Sequence, residues 1–311
     1  MRSLNVQNVV DLKPTVLLVD DEAFNLEILE ELLDDYGIKT DSAENGREAC
    51  ELLQANPEKY QAVLLDRMMP LMGGIEVTQF MKQDARLRII PVIMQTAKAT
   101  RQDIEEGLEA GILYYLTKPF AKDELLSIVD TAVRYFYECQ ELREEVSRHQ
   151  ANIAQQGAVQ FRTIKEARDT AACLAGLSDD PAKVVVGLLE LFVNAIEHGN
   201  LGIGYKLKSR LQETGNWLAE IEHRLRLPEN ASKNVSVDYA IKDGVVCYTV
   251  TDQGHGFNYR EFLEINTARN LNIHGRGIAI ARVFSFDKLQ YVAPGNQVIA
   301  ETQAGPEGCR E

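Results

Sequence analysis

Cysteine is scarce and shows no paired pattern: five residues, at positions 50, 139, 173, 247 and 309, contain no CxxC pair and no metal-ligand spacing. An odd, scattered set argues against a disulfide framework and points to reduced thiols in a cytoplasmic protein. No apolar run approaches the ~18 residues a membrane-spanning helix needs. The opening MRSLNVQNVVDLKP has no signal-peptide core, so neither membrane insertion nor export is expected. Basic residues are also in deficit, with 33 Lys and Arg against 47 Asp and Glu and a net charge of −14. Such a field repels phosphate backbones and anionic lipid heads, so direct nucleic-acid binding is a poor expectation. Tryptophan occurs once, as Trp217, where it reads as a residue packing on its own helix.

What is present reads as globular: 45% hydrophobic and 26% charged residues are ordinary soluble usage. At roughly 100–200 residues per domain, 311 residues make room for two cores. The acidic surplus sits at the front, where residues 1–120 carry 12 basic and 21 acidic side chains. There, short β-branched runs alternate with helical patterns: TVLLV, KTDSA, AVLLD, PVIMQ and YYLTKP are separated by stretches such as GREACELLQ and GIEVTQFMKQ. That alternation predicts a doubly wound parallel (βα)5 α/β domain over 1–121.

Residues 122–156 form a long connecting segment without Pro, predicted to be one helix stopped by Gly157. Leu125, Ile128, Ala132, Tyr135, Cys139, Leu142, Val146, His149 and Ile153 recur at steps of three and four, the spacing of a coiled-coil seam and hence of a homodimer through 122–156. The same spacing also suits an amphipathic helix lying on its own domain. Residues 157–311 read as a second domain, an α/β two-layer sandwich with a largely antiparallel sheet. Its expected elements are a strand at VQFRTI, helices at 166–176, 181–198 and 205–226, a hairpin closed by Lys242-Asp243-Gly244, and two last strands around Pro294-Gly295-Asn296.

In a parallel α/β sheet, ligands sit outside the carboxyl ends of the strands. Asp20 and Asp21 follow the first strand, Asp66 ends the third, Thr96 the fourth, and Lys118 follows the fifth. Three converging carboxylates repel one another unless a hard cation such as Mg²⁺ lies among them. The hydroxyl and ammonium can hold an oxyanion attached to one carboxylate, which makes Asp66 a nucleophile for a phosphoryl group. VDD at 19–21, LLDRMMPLMGG at 64–74, QTA at 95–97 and YLTKPF at 115–120 resemble a response-regulator receiver domain. The resemblance implies that Asp66 takes phosphate from an upstream histidine kinase. It implies Mg²⁺ on Asp20, Asp21, Asp66 and the Met68 carbonyl, phosphoryl contacts from Thr96 and Lys118, and Tyr115 as the switch aromatic. Gly73 stands where the family usually carries Asp.

Three segments mark the second half. In ELFVNAIEHG, Glu190, Asn194 and Glu197 fall on one face of a regular helix, and a carboxylate one turn from an amide can set a base beside a metal ligand. In TDQGHGF, Asp252 can accept from an exocyclic amine while Gly254 and Gly256 admit a planar ring. In HGRGI, Gly275, Arg276 and Gly277 open a helix whose free N–H groups suit phosphate. His198 and His255 flank these segments.

In this order the segments resemble the Bergerat-type ATP-binding domain of gyrase, histidine kinases and mismatch-repair ATPases, and within it the anti-sigma-factor serine kinases of partner switching. The resemblance implies ATP with Mg²⁺ on Asn194, adenine N6 on Asp252, a pocket shaped by Gly254 and Gly256, phosphates on Gly275 and Gly277, and Glu190 as general base. Arg276 reads equally as a γ-phosphate contact and as an exposed arginine of the lid. The segment 201–232 is longer than the pattern requires and reads as a helical elaboration without an assigned role.

The expected whole is a response regulator whose output is an ATP-dependent serine/threonine protein kinase acting on an anti-sigma-antagonist-type protein. Two other readings stand beside it: a hybrid histidine kinase, and an ATP-binding protein that sequesters a partner such as a sigma factor without catalysis.

Overall fold

The structure is a computed structural model that describes residues 13–97, 100–112, 114–148, 153–259 and 277–305. It divides into two compact units, with the boundary after Gln140.

The first unit holds strands β1 (Thr15–Val19), β2 (Lys39–Ala43), β3 (Ala62–Asp66), β4 (Val92–Thr96) and β5 (Tyr114–Thr117). Helices α1 (Ala23–Asp34), α2 (Gly46–Ala55), α3 (Gly74–Gln83) and α4 (Arg101–Ala110) alternate with them. All pairings are parallel, in the order β2-β1-β3-β4-β5. The inner strands are buried nearly end to end, as expected where helices cover both faces, whereas Lys39 leaves the edge strand β2 exposed. Local chemistry starts the helices: the Asn45 side chain accepts the Glu48 N–H at the head of α2. The strand order reverses between β1 and β3, and the ligand crevice of such a sheet opens there.

Helix α5 (Lys122–Arg148) is shorter than the 122–156 predicted. Residues 153–155 are not helical, and β6 (Gln156–Phe161) has already begun at Gly157. Gly157 is therefore a strand residue, not a helix stop. It faces Tyr239, whose hydroxyl would lie 2.7 Å from an added Cβ. Of the predicted seam, Leu125, Ile128, Ala132, Cys139 and Leu142 are buried within the single chain. The amphipathic reading of the repeat thus accounts for these five positions. Phe136 joins the first core, and Leu142 joins the second with Val146 and Ile153 packed against it.

In the second unit the sheet order is β6-β7-β8-β10-β9, with β7 (Val235–Lys242), β8 (Val245–Thr251), β9 (Lys288–Val292) and β10 (Gln297–Gln303), every pairing antiparallel. Asp243 and Gly244 turn the β7–β8 hairpin at φ 52° and 75°, a left-handed pair suited to a two-residue loop. Helices α6 (Ile164–Ala175) and α7 (Pro181–Asn194) share the core with this sheet. Thr163 and Glu166 cap α6 reciprocally, and Asp180 with Pro181 opens α7. Phe161 of β6 meets Phe192 of α7 at 4.7 Å between ring centroids, and the buried Tyr248 hydroxyl donates to the Leu174 carbonyl at 2.9 Å.

The predicted helix 181–198 changes character at Ala195, where a π-helical turn runs to Asn200. The predicted helix 205–226 is two, α8 (Tyr205–Glu213) and α9 (Trp217–Leu225), broken where Gly215 takes φ 69°. The short helix α10 (Gly277–Ile280) continues into a second π-helical turn, Ala281–Ser285. Among the described residues no single helix is long and apolar enough to cross a membrane.

Candidate functional site

The receiver pocket forms at the carboxyl edge of the parallel sheet. Asp20, following β1, is buried, and its Oδ1 accepts the Glu22 N–H and the Asn25 amide, each at 3.0 Å. Lys118 donates to Asp20 Oδ2 at 2.8 Å and to Asp66 Oδ1 at 2.5 Å. Asp66 Oδ2 accepts the Met68 N–H at 2.7 Å. Burial pulls the Lys118 pKa down, but hydrogen bonds and charge from both carboxylates outweigh it and hold the ammonium above its ordinary value. Asp20, Asp66 and Lys118 are thus brought into direct contact. Thr96 is buried at the end of β4, where its carbonyl accepts the Lys118 N–H at 2.8 Å. Asp21 is exposed on the rim. Met68 contributes its N–H, and its side chain is exposed.

This donor set suits a hard cation. Asp20 and Asp66 offer only carboxylate oxygens, and Mg²⁺ keeps several waters, needing just one or two carboxylates. Among the described residues no group of three or more His, Cys, Asp or Glu side chains is already gathered for a metal; Lys118 supplies the positive charge between Asp20 and Asp66.

Two features next to this pocket escape sequence reasoning. Arg67, the residue after Asp66, pairs with Asp103 at 2.5 Å and Glu106 at 3.0 Å on α4. Tyr115 is buried, its hydroxyl 3.5 Å from the Asp103 carbonyl and so close to Gly107 that a Cβ there would come within 1.6 Å. Nothing in the one-dimensional pattern pairs position 67 with 103, or 107 with 115.

In the second unit the three glycine-bearing segments meet. An added Cβ on Gly277 would lie 2.2 Å from Glu190 Oε2 and 3.4 Å from Asn194 Nδ2, so α7 presents both side chains to the first residue of α10. On the other side, Asp252 follows β8 and stands against Gly199, and Gly254 packs on the Gly199 carbonyl, 2.3 Å from an added Cβ. Gly256 takes φ 77° under the Pro294 carbonyl, a conformation and a clearance that favour glycine.

Asp252 Oδ1 accepts the Gly254 N–H at 2.8 Å, and Asn296 brackets the Asp252 backbone from both sides. Burial raises the Asp252 carboxyl to about 6, against the Gly254 N–H and the Lys233 charge, which favour its ionised form. Gly275 and Arg276 lie outside the described residues, as does His149.

One expectation is corrected. Glu197 does not share the face of Glu190 and Asn194, because the π-helical turn from Ala195 takes an extra residue per turn and rotates it away. Fully buried, Glu197 accepts from Lys208 Nζ at 2.6 Å and from the Trp217 indole N–H. Trp217 therefore does more than pack on its helix. His198 Nδ1 faces the Ile203 carbonyl, and His255 is exposed beside Phe257 and Pro294. Gly199 closes the segment ELFVNAIEHG, but its approach to Asp252 and the contacts of Asn200 and Lys208 are not readable from the sequence pattern.

The response regulator receiver domain model matches residues 16–130, and the histidine kinase-like ATPase domain model matches residues 158–302. The polar-differentiation response regulator DivK of Brucella anthropi is 32% identical over 115 residues, which is 37% of this chain and 92% of that protein. The phosphate regulon transcriptional regulatory protein PhoB of Pseudomonas aeruginosa is 37% identical over 120 residues, 39% of this chain and 52% of that protein. The chemotaxis protein CheY4 of Vibrio cholerae is a solved structure similar at 27% identity and a TM-score of 0.37, over 38% of this chain and 98% of that one. The chain spans about half the length of several curated relatives it matches. With the Asp20–Lys118–Asp66 cluster at the switch point of a parallel five-stranded sheet, the chain belongs to the response regulators and joins a receiver domain to a histidine kinase-like ATPase domain.

Proposed function

We propose that phosphorylation of Asp66 by an upstream histidine kinase controls an ATP-dependent serine/threonine protein kinase in the second domain, whose substrate is a small anti-sigma-antagonist-type protein. The observation that carries the kinase reading is the meeting of Glu190 and Asn194 with Gly277. A carboxylate and an amide beside the last glycine of HGRG support a base and a metal ligand next to the proposed phosphate segment.

In the receiver step, an Asp66 carboxylate oxygen attacks the donor's phosphorus, the P–N bond breaks, and the histidine nitrogen leaves with the electron pair. Lys118 and the Met68 N–H, already on the two Asp66 oxygens, orient the nucleophile and offset charge. Asp20, Asp21 and Asp66 would hold Mg²⁺, which supplies charge neutralisation at the phosphoryl oxygens. In the output step, Asp252 accepts the adenine amine and Gly254 and Gly256 leave room for the ring. Glu190 takes the proton of the substrate hydroxyl as its oxygen bonds to the γ-phosphorus and ADP departs. Gly275 and Arg276 complete the phosphate site in this reading.

The path of the chain favours this over a hybrid histidine kinase. The described part of α5 runs to Arg148 and β6 starts at Gln156, and the seven residues from 149 to 155 are too few for the second helix of a phosphoacceptor hairpin. The free thiols of Cys50, Cys139, Cys173 and Cys247 fit a cytoplasmic setting.

The test uses γ-labelled ATP, the full chain and a serine-bearing partner protein, with and without beryllofluoride on the receiver. Acid-stable label on the partner that disappears in Glu190→Ala while nucleotide still binds is the expected result. Acid-labile label would make the output a histidine phosphotransfer, and nucleotide binding without transfer would make it a sequestering protein.

A further inference from the structure

Helices α8 and α9 are fastened to one short stretch of chain that precedes them, from Glu197 to Gly202. Lys208 of α8 and Trp217 of α9 both donate to Glu197; Arg224 donates to the carbonyls of Leu201 at 2.9 Å and Gly202 at 3.2 Å; Lys233, just beyond, donates to the Asn200 carbonyl at 2.8 Å. That stretch is the π-helical turn and its exit, and its far side is the wall of the candidate nucleotide pocket. Gly199 abuts the Asp252 carboxylate, and the Asn200 side chain accepts the Gln253 N–H at 2.8 Å.

A fully buried carboxylate is costly to keep unless it is paired and hydrogen-bonded, and Glu197 is held on both oxygens. A surface elaboration has no need of such an anchor, whereas a turn whose backbone must hold one register against Asp252 does.

We propose that Lys208 and Trp217 are positioning residues for adenine recognition: through Glu197 they hold the turn Ala195–Asn200 so that Gly199 and Asn200 set the Asp252–Gln253 segment. This rests on the reading of Asp252 as the adenine acceptor.

The experiment titrates Mg·ATP and Mg·GTP by calorimetry against the full native chain, Trp217→Phe, Lys208→Met and Lys208→Arg, and records the unfolding of each without nucleotide. Trp217→Phe and Lys208→Met are expected to weaken ATP binding about tenfold, the scale of one hydrogen bond to a charged group. The preference for ATP over GTP falls with it, and Lys208→Arg restores both. Trp217, the single tryptophan, supplies a spectroscopic check: its emission in the native chain shifts when ATP saturates the site. Lower unfolding temperatures with unchanged ATP affinity and unchanged preference would overturn the proposal and leave an anchor that is structural only. A native chain that binds no ATP overturns the nucleotide reading and this inference together, whereas native-like binding in both variants overturns this inference alone. If Lys208→Met does not fold, Trp217→Phe decides, since it keeps a ring and loses only the N–H donor.

Discussion

The carboxylate of Asp252 occupies the place where a side chain on Gly199 would begin. A Cβ built on Gly199 lies 2.2 Å from the Asp252 carboxyl carbon and within 2.6 Å of both its oxygens. The segment at Asp252 and the end of the α7 segment are therefore one unit, joined at a glycine. Gly199→Ala forces Asp252 or the turn to move, a strain of about 1–3 kcal/mol. The expected result is at least a tenfold loss of ATP affinity by calorimetry, with far-UV circular dichroism unchanged.

Asp252 also sets a pH dependence. Its folded pKa, about 6, lies above its ordinary 3.8. The protonated form therefore favours folding: that contribution is complete below about 3.8 and is lost as the pH rises through about 6. Asp252→Asn, neutral throughout, should be more stable than the native chain at pH 8 by about 1–3 kcal/mol and no more stable at pH 4. Denaturant unfolding at the two pH values checks this. In the proposed reading Asp252 accepts the adenine amine, and an ionised carboxylate accepts more strongly than a neutral carboxyl, so ATP affinity of the native chain should fall as the pH is lowered through the same range.

Lys118 stands between Asp20 and Asp66, and removing it leaves two carboxylates facing each other. Lys118→Met should cost about 1–3 kcal/mol of stability, the range for stranding buried polar partners. A cation held by the folded state stabilises it, so Mg²⁺ should recover more stability in Lys118→Met than it adds to the native chain. Unfolding curves with Mg²⁺ and with a chelator make the comparison. Equal Mg²⁺ effects in both chains would remove the cation from this pocket.

Gly107 admits the buried Tyr115 hydroxyl to α4. Gly107→Ala collides with it and should destabilise the receiver by about 1–3 kcal/mol, and Tyr115→Ala in the same chain should relieve most of that loss. A double-mutant cycle in denaturant should give a coupling above about 1 kcal/mol, and additive effects would mean that the two side chains do not share this space.

Much of this molecule is legible along the chain. TVLLV, KTDSA and AVLLD appear as strands with the bounds read for them, because aliphatic or β-branched runs set off by charged and turn residues leave few other arrangements. Asp20, Asp66 and Lys118 could be named as one pocket since a parallel sheet carries all its strand ends to one edge. What only the tertiary structure decided are the matters of direction and partner. A step of three and four suits a coiled coil and a helix buried by its own chain equally well, so the pattern of 122–156 could not tell that Leu125, Ile128, Ala132, Cys139 and Leu142 are covered by the chain itself. Glu197 is on the face of Glu190 by helical arithmetic and off it in fact, because one π-helical turn, stabilised by contacts from 201–232, changes the period locally. Arg67 finds Asp103, and Gly107 finds Tyr115, across separations that no local pattern records. Sequence determines which faces are apolar and which residue types can do the chemistry; which side chain meets which is settled when those faces compete for burial in the same small volume.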